Sequence, residues 1–274
     1  MNDLELDLLN KLSLFLNNDN NITINEINKI KKLNINDKHA LKLLLDDYFK
    51  DVKLYELYFD NIFNELNSKD YIIDSYYKNI NISNKKYSNW SIKLDKYRPY
   101  ELFVYDDFNI KDNYVLPKIG YFTKPFYYLA IYENNNLWMS ITPNEINTMR
   151  KPIDKAFGNV LTFGLGLGYF SYMVSNKENV KSVTIVETDN KVIDLFKKMI
   201  FPFFKFKYKI NIINIDGYEY IKNLKDKEYD YIFVDIYHDV SDGKKVYNDF
   251  SKYTNKLKET IVDYWIYDSI KYYL

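Results

Sequence analysis

The chain reads as an α/β protein: an open parallel sheet with helices on both faces, preceded by a helical stretch and a small β region. Three observations predict this. From residue 159 on, short unbroken runs of Val, Ile, Leu and Phe alternate with helical segments, the pattern of strands buried on both faces. Residues 1–67 place apolar side chains at helical spacing. Between 71 and 141, Tyr/Ile/Phe/Val runs are broken by polar pairs and by Pro99, Pro117 and Pro125, which marks strands. The expected organisation is a helical region (1–67), a small β region with a hairpin (68–141) and the sheet domain (142–274).

Each element has its own warrant. Leu4, Leu8, Leu12 and Phe15 or Leu16 recur once per helical turn until the polar run 17–21 interrupts them. Thr23-Ile24-Asn25-Glu26 is a capping box, in which hydroxyl and carboxylate satisfy each other's orphan backbone donors. Asp37 is the expected cap of a third helix through Leu41, Leu44, Leu45 and Phe49, and a fourth is expected through Leu54, Leu57, Ile62 and Leu66. A hairpin runs over 127–132 and 137–141 with its turn at Asn134-Asn135-Asn136, since asparagine tolerates positive φ. Thr142-Pro143-Asn144-Glu145 opens a helix of about twelve residues. Strands follow at 159–163, 180–186, 210–215 and 231–234, with helices at 169–175, 191–200 and 218–224.

Composition sets outer limits. Hydrophobic residues make up 47 % and charged residues 28 % of 274, an ordinary globular balance. The 38 basic and 38 acidic residues cancel, which gives no support to nucleic-acid binding through a strongly basic field. Cysteine is absent, which excludes disulfides, thiolate metal sites and a cysteine nucleophile. The first residues are acidic and no apolar run reaches a membrane span, so a cytoplasmic protein without a membrane partner is expected. The 29 tyrosines read as core and surface aromatics in a chain rich in Asn, Lys and Ile. The basic, aromatic run 197–207 reads as a helix end, a proline stop and a packed connection.

Three of the seven glycines fall in Gly164-Leu165-Gly166-Leu167-Gly168, where a buried strand meets a helix. Missing side chains there let backbone approach a ligand. A third glycine at the dinucleotide spacing would fall at Tyr169, and no Gly-Lys-Ser/Thr follows, so neither a dinucleotide fingerprint nor a phosphate loop is present. Acids then close three successive strands: Glu187, Asp216 and Asp235. Ligands of open parallel sheets sit beyond those strand ends.

The G-x-G-x-G turn resembles that of the class I S-adenosylmethionine-dependent methyltransferases, which have a Rossmann-like sheet. Asp216-Gly217-Tyr218-Glu219-Tyr220 and Tyr229-Asp230-Tyr231-Ile232-Phe233-Val234-Asp235 narrow the resemblance to the spermidine synthase branch. The resemblance implies that Phe163, Gly164, Leu165, Gly166 and Gly168 hold the ligand's tail. It places Glu187 with Thr188 at the ribose, Asp216 with Gly217 at the adenine, and Asp235 at the reactive end. Asp235, Tyr237 and His238 are the candidate catalytic residues. The cofactor implied is S-adenosylmethionine or its decarboxylated form.

The departures are specific. Spermidine synthases carry Asp-Ser-Ser/Thr-Asp-Pro after the fourth strand, two aspartates of which handle polyamine amines; here Asp235-Ile236-Tyr237-His238-Asp239 stands. Thr162 replaces the acid usual two residues before the first glycine. About 35 residues follow Tyr237, which predicts an abbreviated sheet, with 260–266 either one more strand or part of a closing helix. Asp235, His238, Asp239 and Asp242 would suit magnesium, but loop acids without a metal are commoner and no metal is assigned. The expected function is an S-adenosylmethionine-dependent transferase, a methyltransferase acting on a small-molecule acceptor. Aminopropyl transfer from the decarboxylated cofactor, or a non-catalytic nucleoside-binding protein, are the alternatives. Self-association is left open.

Overall fold

The computed structural model describes residues 1–19, 22–82 and 84–274. They form two compact units, each assembled from non-consecutive stretches rather than from the three successive segments expected: Met1–Ile72, Leu94–Leu129 and Thr142–Asn147 in one, Ile73–Lys93, Ala130–Ile141 and Thr148–Leu274 in the other.

The first unit opens with α1 (Asp3–Leu14), α2 (Ile24–Lys31), α3 (Asp37–Phe49) and α4 (Lys53–Ile62). Leu8, Leu12, Phe15, Ile27, Leu41, Leu45 and Phe49 supply its core, as the spacing predicts. A π-helical turn, Phe15–Asp19, extends α1 into the polar run whose residues 20 and 21 lie outside the described residues. The Thr23–Glu26 capping box forms in full. α3 is capped by Asn36, whose Oδ1 accepts the His39 amide, so Asp37 is its first helical residue and not its cap. α4 stops at Ile62, short of the expected Leu66, because β1 (Phe63–Glu65) pairs with a distant strand.

Next come α5 (Lys69–Ile72), α6 (Ser75–Asn79), β2 (Lys85–Tyr87), β3 (Trp90–Tyr97), β4 (Phe103–Lys111), β5 (Tyr114–Tyr121), β6 (Phe126–Glu133) and β7 (Asn136–Ser140). They build a three-stranded sheet, β1-β5-β4, and a four-stranded sheet, β2-β3-β6-β7. The β6–β7 hairpin turns at Asn134 and Asn135, both at positive φ, as their side chains predict. Asn136 already pairs with Glu133, so the turn is one residue tighter than expected.

α7 (Pro143–Lys155) leads into the second unit's sheet: β8 (Gly158–Phe163), α8 (Tyr169–Ser175), β9 (Val180–Glu187), α9 (Asn190–Met199), β10 (Ile210–Asn214), α10 (Gly217–Ile221), β11 (Tyr231–Val234), α11 (Val240–Thr254), β12 (Ile261–Tyr264) and α12 (Tyr267–Ile270). The five strands run parallel in the order β10-β9-β8-β11-β12. This is the Rossmann-like sheet read from the sequence, and residues 260–266 contribute a strand. The sheet is fuller at that end than expected, because α11 begins at Val240 and leaves room for β12. Run 197–207 behaves as a helix end and packed connection, with Phe196, Phe201 and Phe204 in mutual ring contact. Among the described residues no helix is long and apolar enough to cross a membrane.

Candidate functional site

Strand order decides where a ligand can sit. The chain leaves β8 toward β9 and β10, then returns to β8's other side as β11, so the switch point lies between β8 and β11. Register brings the candidate residues level there. Phe163 pairs with Val186 on one side and Val234 on the other, so Gly164, Glu187 and Asp235 each come next in one row. Asp216 follows β10 just beyond Ile215, whose amide bonds the Glu187 carbonyl.

The glycine turn needs its glycines. Gly164, Gly166 and Gly168 stand at φ of 95°, 50° and 72°, in the left-handed region. A Cβ on Gly164 would come within 2.0 Å of the Asp235 carbonyl oxygen, on Gly166 within 2.5 Å of Met139 Sδ, and on Gly168 within 2.4 Å of the Phe196 ring. Met139, from β7, therefore lies over the middle of the turn. Gly164 donates to the Val186 carbonyl, Leu165 to Glu187 Oε2 at 3.1 Å and Gly168 to the Leu165 carbonyl. The amides of Gly166 and Leu167 make no hydrogen bond among the described residues, so both donors are uncommitted.

Glu187 is half-buried and already in use: Oε2 accepts from Leu165 and Oε1 from the Asp189 amide at 2.9 Å, so one carboxylate ties the turn to the next strand's exit. Thr188 is exposed, with its carbonyl accepting from the Asn214 side chain. Asp216 caps α10 through Oδ1, which accepts from Tyr218 and Glu219, so Oδ2 is the atom that can meet a ligand. Gly217 sits 3.1 Å, by its absent Cβ, from the Phe163 ring, and Phe163 itself is fully buried against Tyr220 and Phe250. Phe163 is therefore a core residue that reaches the site through its backbone.

Asp235 is only partly open to solvent, and protein encloses its carboxyl closely enough that burial raises its pKa to about 7. That makes it a group that can exchange a proton near neutrality. Tyr237 corrects the sequence expectation. It is buried, packs at a tilt against Trp265 and donates its hydroxyl to the Trp265 carbonyl, so it braces the end of β12 and its proton is committed to that bond. His238 is exposed. Asp239 caps α11: its Oδ1 accepts from the Ser241 amide and hydroxyl and from the Asp242 amide, and these bonds hold its carboxyl below the usual range. Among the described residues no group of three His, Asp or Glu side chains is arranged to hold a metal. A cleft of about 410 Å³ beside β12 and α11, lined by Tyr247, Asn255, Lys258 and Tyr264, contains none of the candidate residues.

Sequence reasoning missed the residues behind the turn. Tyr76 donates to the Leu167 carbonyl at 2.6 Å, and Tyr169 donates to Asp74, both from a segment some ninety residues upstream. The one local signal was Asp74 as an N-cap before Ser75-Tyr76-Tyr77.

Residues 145–263 match the family model described as the Spermine/spermidine synthase domain. Among solved structures, the chain is similar to a spermidine synthase from Thermotoga maritima (17 % identity, TM-score 0.34, 46 % of each chain). It is also similar to a spermidine synthase in complex with the transition state analogue AdoDATO (19 %, 0.38, 47 % of each chain). A putative O-methyltransferase from Klebsiella pneumoniae aligns at 13 % identity and TM-score 0.28 over 35 % of this chain and 43 % of its own. The chain thus spans less than half the length of each. No curated protein matches it. The stretch that matches the Spermine/spermidine synthase domain, residues 145–263, contains β8 to β11 and the row of Gly164, Glu187 and Asp235.

Proposed function

We infer that the protein is a transferase using S-adenosylmethionine, with methyl transfer to a small-molecule acceptor as its activity. The observation that carries this reading is the single row formed by Gly164, Glu187 and Asp235 at the β8/β11 switch point, with Asp216 beside it. The residues present fit such a ligand. The unpaired amides of Gly166 and Leu167 suit an anionic tail, Glu187 can accept from two ribose hydroxyls, and Asp216 Oδ2 can accept from the adenine amino group. When bound, the sulfonium supplies an activated methyl group. This chain's part is to align the acceptor beside Asp235 and to hold or take its proton there.

One observation favours methyl over aminopropyl transfer. In the spermidine synthase pattern a second aspartate handles the polyamine, whereas the next acid here, Asp239, is engaged as the cap of α11. Titration calorimetry with S-adenosylhomocysteine, S-adenosylmethionine and decarboxylated S-adenosylmethionine tests both points. Binding of the first two, lost in Glu187→Ala, is expected. Preference for the decarboxylated form would replace methyl with aminopropyl transfer, and binding of none would remove the reading.

A further inference from the structure

We propose that residues 74–77 form a strap that sets the backbone of the glycine turn, and that Tyr76 is a positioning residue for the adenosyl-ligand site; the ligand part rests on the function inferred above. Four successive side chains form hydrogen bonds within the second unit, to which they belong. Asp74 Oδ1 accepts the Tyr76 amide at 2.8 Å, and its Oδ2 accepts the Tyr169 hydroxyl at 2.9 Å. Ser75 Oγ donates to Met173 Sδ at 3.2 Å. Tyr76 donates to the Leu167 carbonyl, and Tyr77 donates to the Ile141 carbonyl where the β6–β7 hairpin ends. The Tyr76 ring is 1 % exposed and meets Tyr169 and Tyr172 edge-on, each at 5.4 Å. Burial also pushes its hydroxyl well above the ordinary tyrosine range, so it stays a donor at every working pH.

The strap acts where the turn is softest. Leu167 lies between Gly166 and Gly168, both in left-handed conformations, and glycine resists few backbone rotations. Its peptide unit is therefore oriented from outside. Tyr76 holds the Leu167 carbonyl while the following amide, Gly168, bonds the Leu165 carbonyl. With that unit fixed at both ends, the Gly166 and Leu167 amides keep one direction before any ligand arrives, which is how preorganisation improves affinity. The strap lies outside the stretch 145–263 that matches the family model.

Tyr76→Phe removes one oxygen and keeps the ring. In ligand-free protein, amide hydrogen exchange over 164–168 should speed up at least tenfold while β9 and β10 are unchanged, and affinity for S-adenosylhomocysteine should fall about tenfold. Asp74→Asn, which retains a capping side chain, should show the same pattern more weakly and serves if Tyr76→Phe does not fold. Unchanged exchange over 164–168, or a lowered melting temperature with no local change, overturns the strap. Faster exchange with unchanged affinity overturns the positioning role. Faster exchange in a protein whose wild type binds no adenosyl ligand supports the strap and removes the transferase reading instead.

Discussion

A carboxyl enclosed by protein gives up its proton late, and Asp235 is held near 7 for that reason. The sign of the effect on stability follows. Below about pH 4 both folded and unfolded chains carry the proton and the group is neutral to stability. Between about 4 and 7 the folded chain keeps a proton that the unfolded chain has lost, so stability falls as pH rises, and the deficit is complete above 7. Asp235→Asn should therefore gain on wild type between pH 4.5 and pH 8, by on the order of a few kcal/mol. Urea midpoints at the two pH values measure this, and an equal difference at both excludes it. On the proposed function, affinity for a sulfonium cation should rise through pH 7 and level off above it, a profile that calorimetry reads and that Asp235→Asn should flatten. The glycine turn gives a graded test. Gly164→Ala meets backbone and should cost well over about 2 kcal/mol. Gly166→Ala meets only the flexible end of Met139 and should cost about 1 kcal/mol, mostly from its positive φ. Equal losses in thermal melts would contradict the geometry. The three glycines and the strand-end acids were legible in the sequence because backbone chemistry demands those residue types at those places. Tyr237 was not, because a hydroxyl next to a candidate base looks the same on paper whether it faces a substrate or the Trp265 carbonyl.

At the scale of elements, caps and periodicity carried the reading wherever the segment decides its own structure. The Thr23–Glu26 box, the Asn134–Asn135 turn and β8 to β11 stand where local chemistry puts them. Two elements escaped for different reasons. α4 ends at Ile62 because β1 pairs Phe63 with Ile119, a partner far along the chain that no local pattern announces. α11 was overlooked because its inward stripe is thin: Gly243, Val246, Phe250 and Thr254 are buried on a mostly polar helix with a glycine inside. Gly243 is there because the Tyr237 ring would lie 2.8 Å from its Cβ. The cap of α11 separates its two readings. Asp239→Ala should lower stability by about 1 kcal/mol, as cap losses do, and leave affinity for S-adenosylhomocysteine unchanged. A loss of affinity without a loss of stability would return Asp239 to the ligand site.

For the whole molecule, the parallel sheet was legible because alternation of strand and helix admits few other arrangements. The assembly of each unit from separated stretches was not, since it depends on pairings and hydroxyl bonds between residues far apart in sequence. Ligand linkage tests the function at this scale. At a hundredfold excess over its dissociation constant, S-adenosylhomocysteine should add about 2.7 kcal/mol. For a chain of this size that raises the melting temperature by roughly 5–10 °C, read in a thermal shift series against concentration. A melting temperature independent of the nucleoside would argue that the site is not one for it.

The bond from Tyr76 to Leu167 joins residues 91 positions apart. On a ribosome adding about 5–20 residues per second, the tyrosine waits roughly 5–20 s for its acceptor to be made. Through that interval α6 has no glycine turn to brace, so the turn takes its final shape only after the segment that holds it has long been made. A translational pause before residue 167 would prolong the exposure of Tyr76, an aromatic ring whose acceptor has yet to be made.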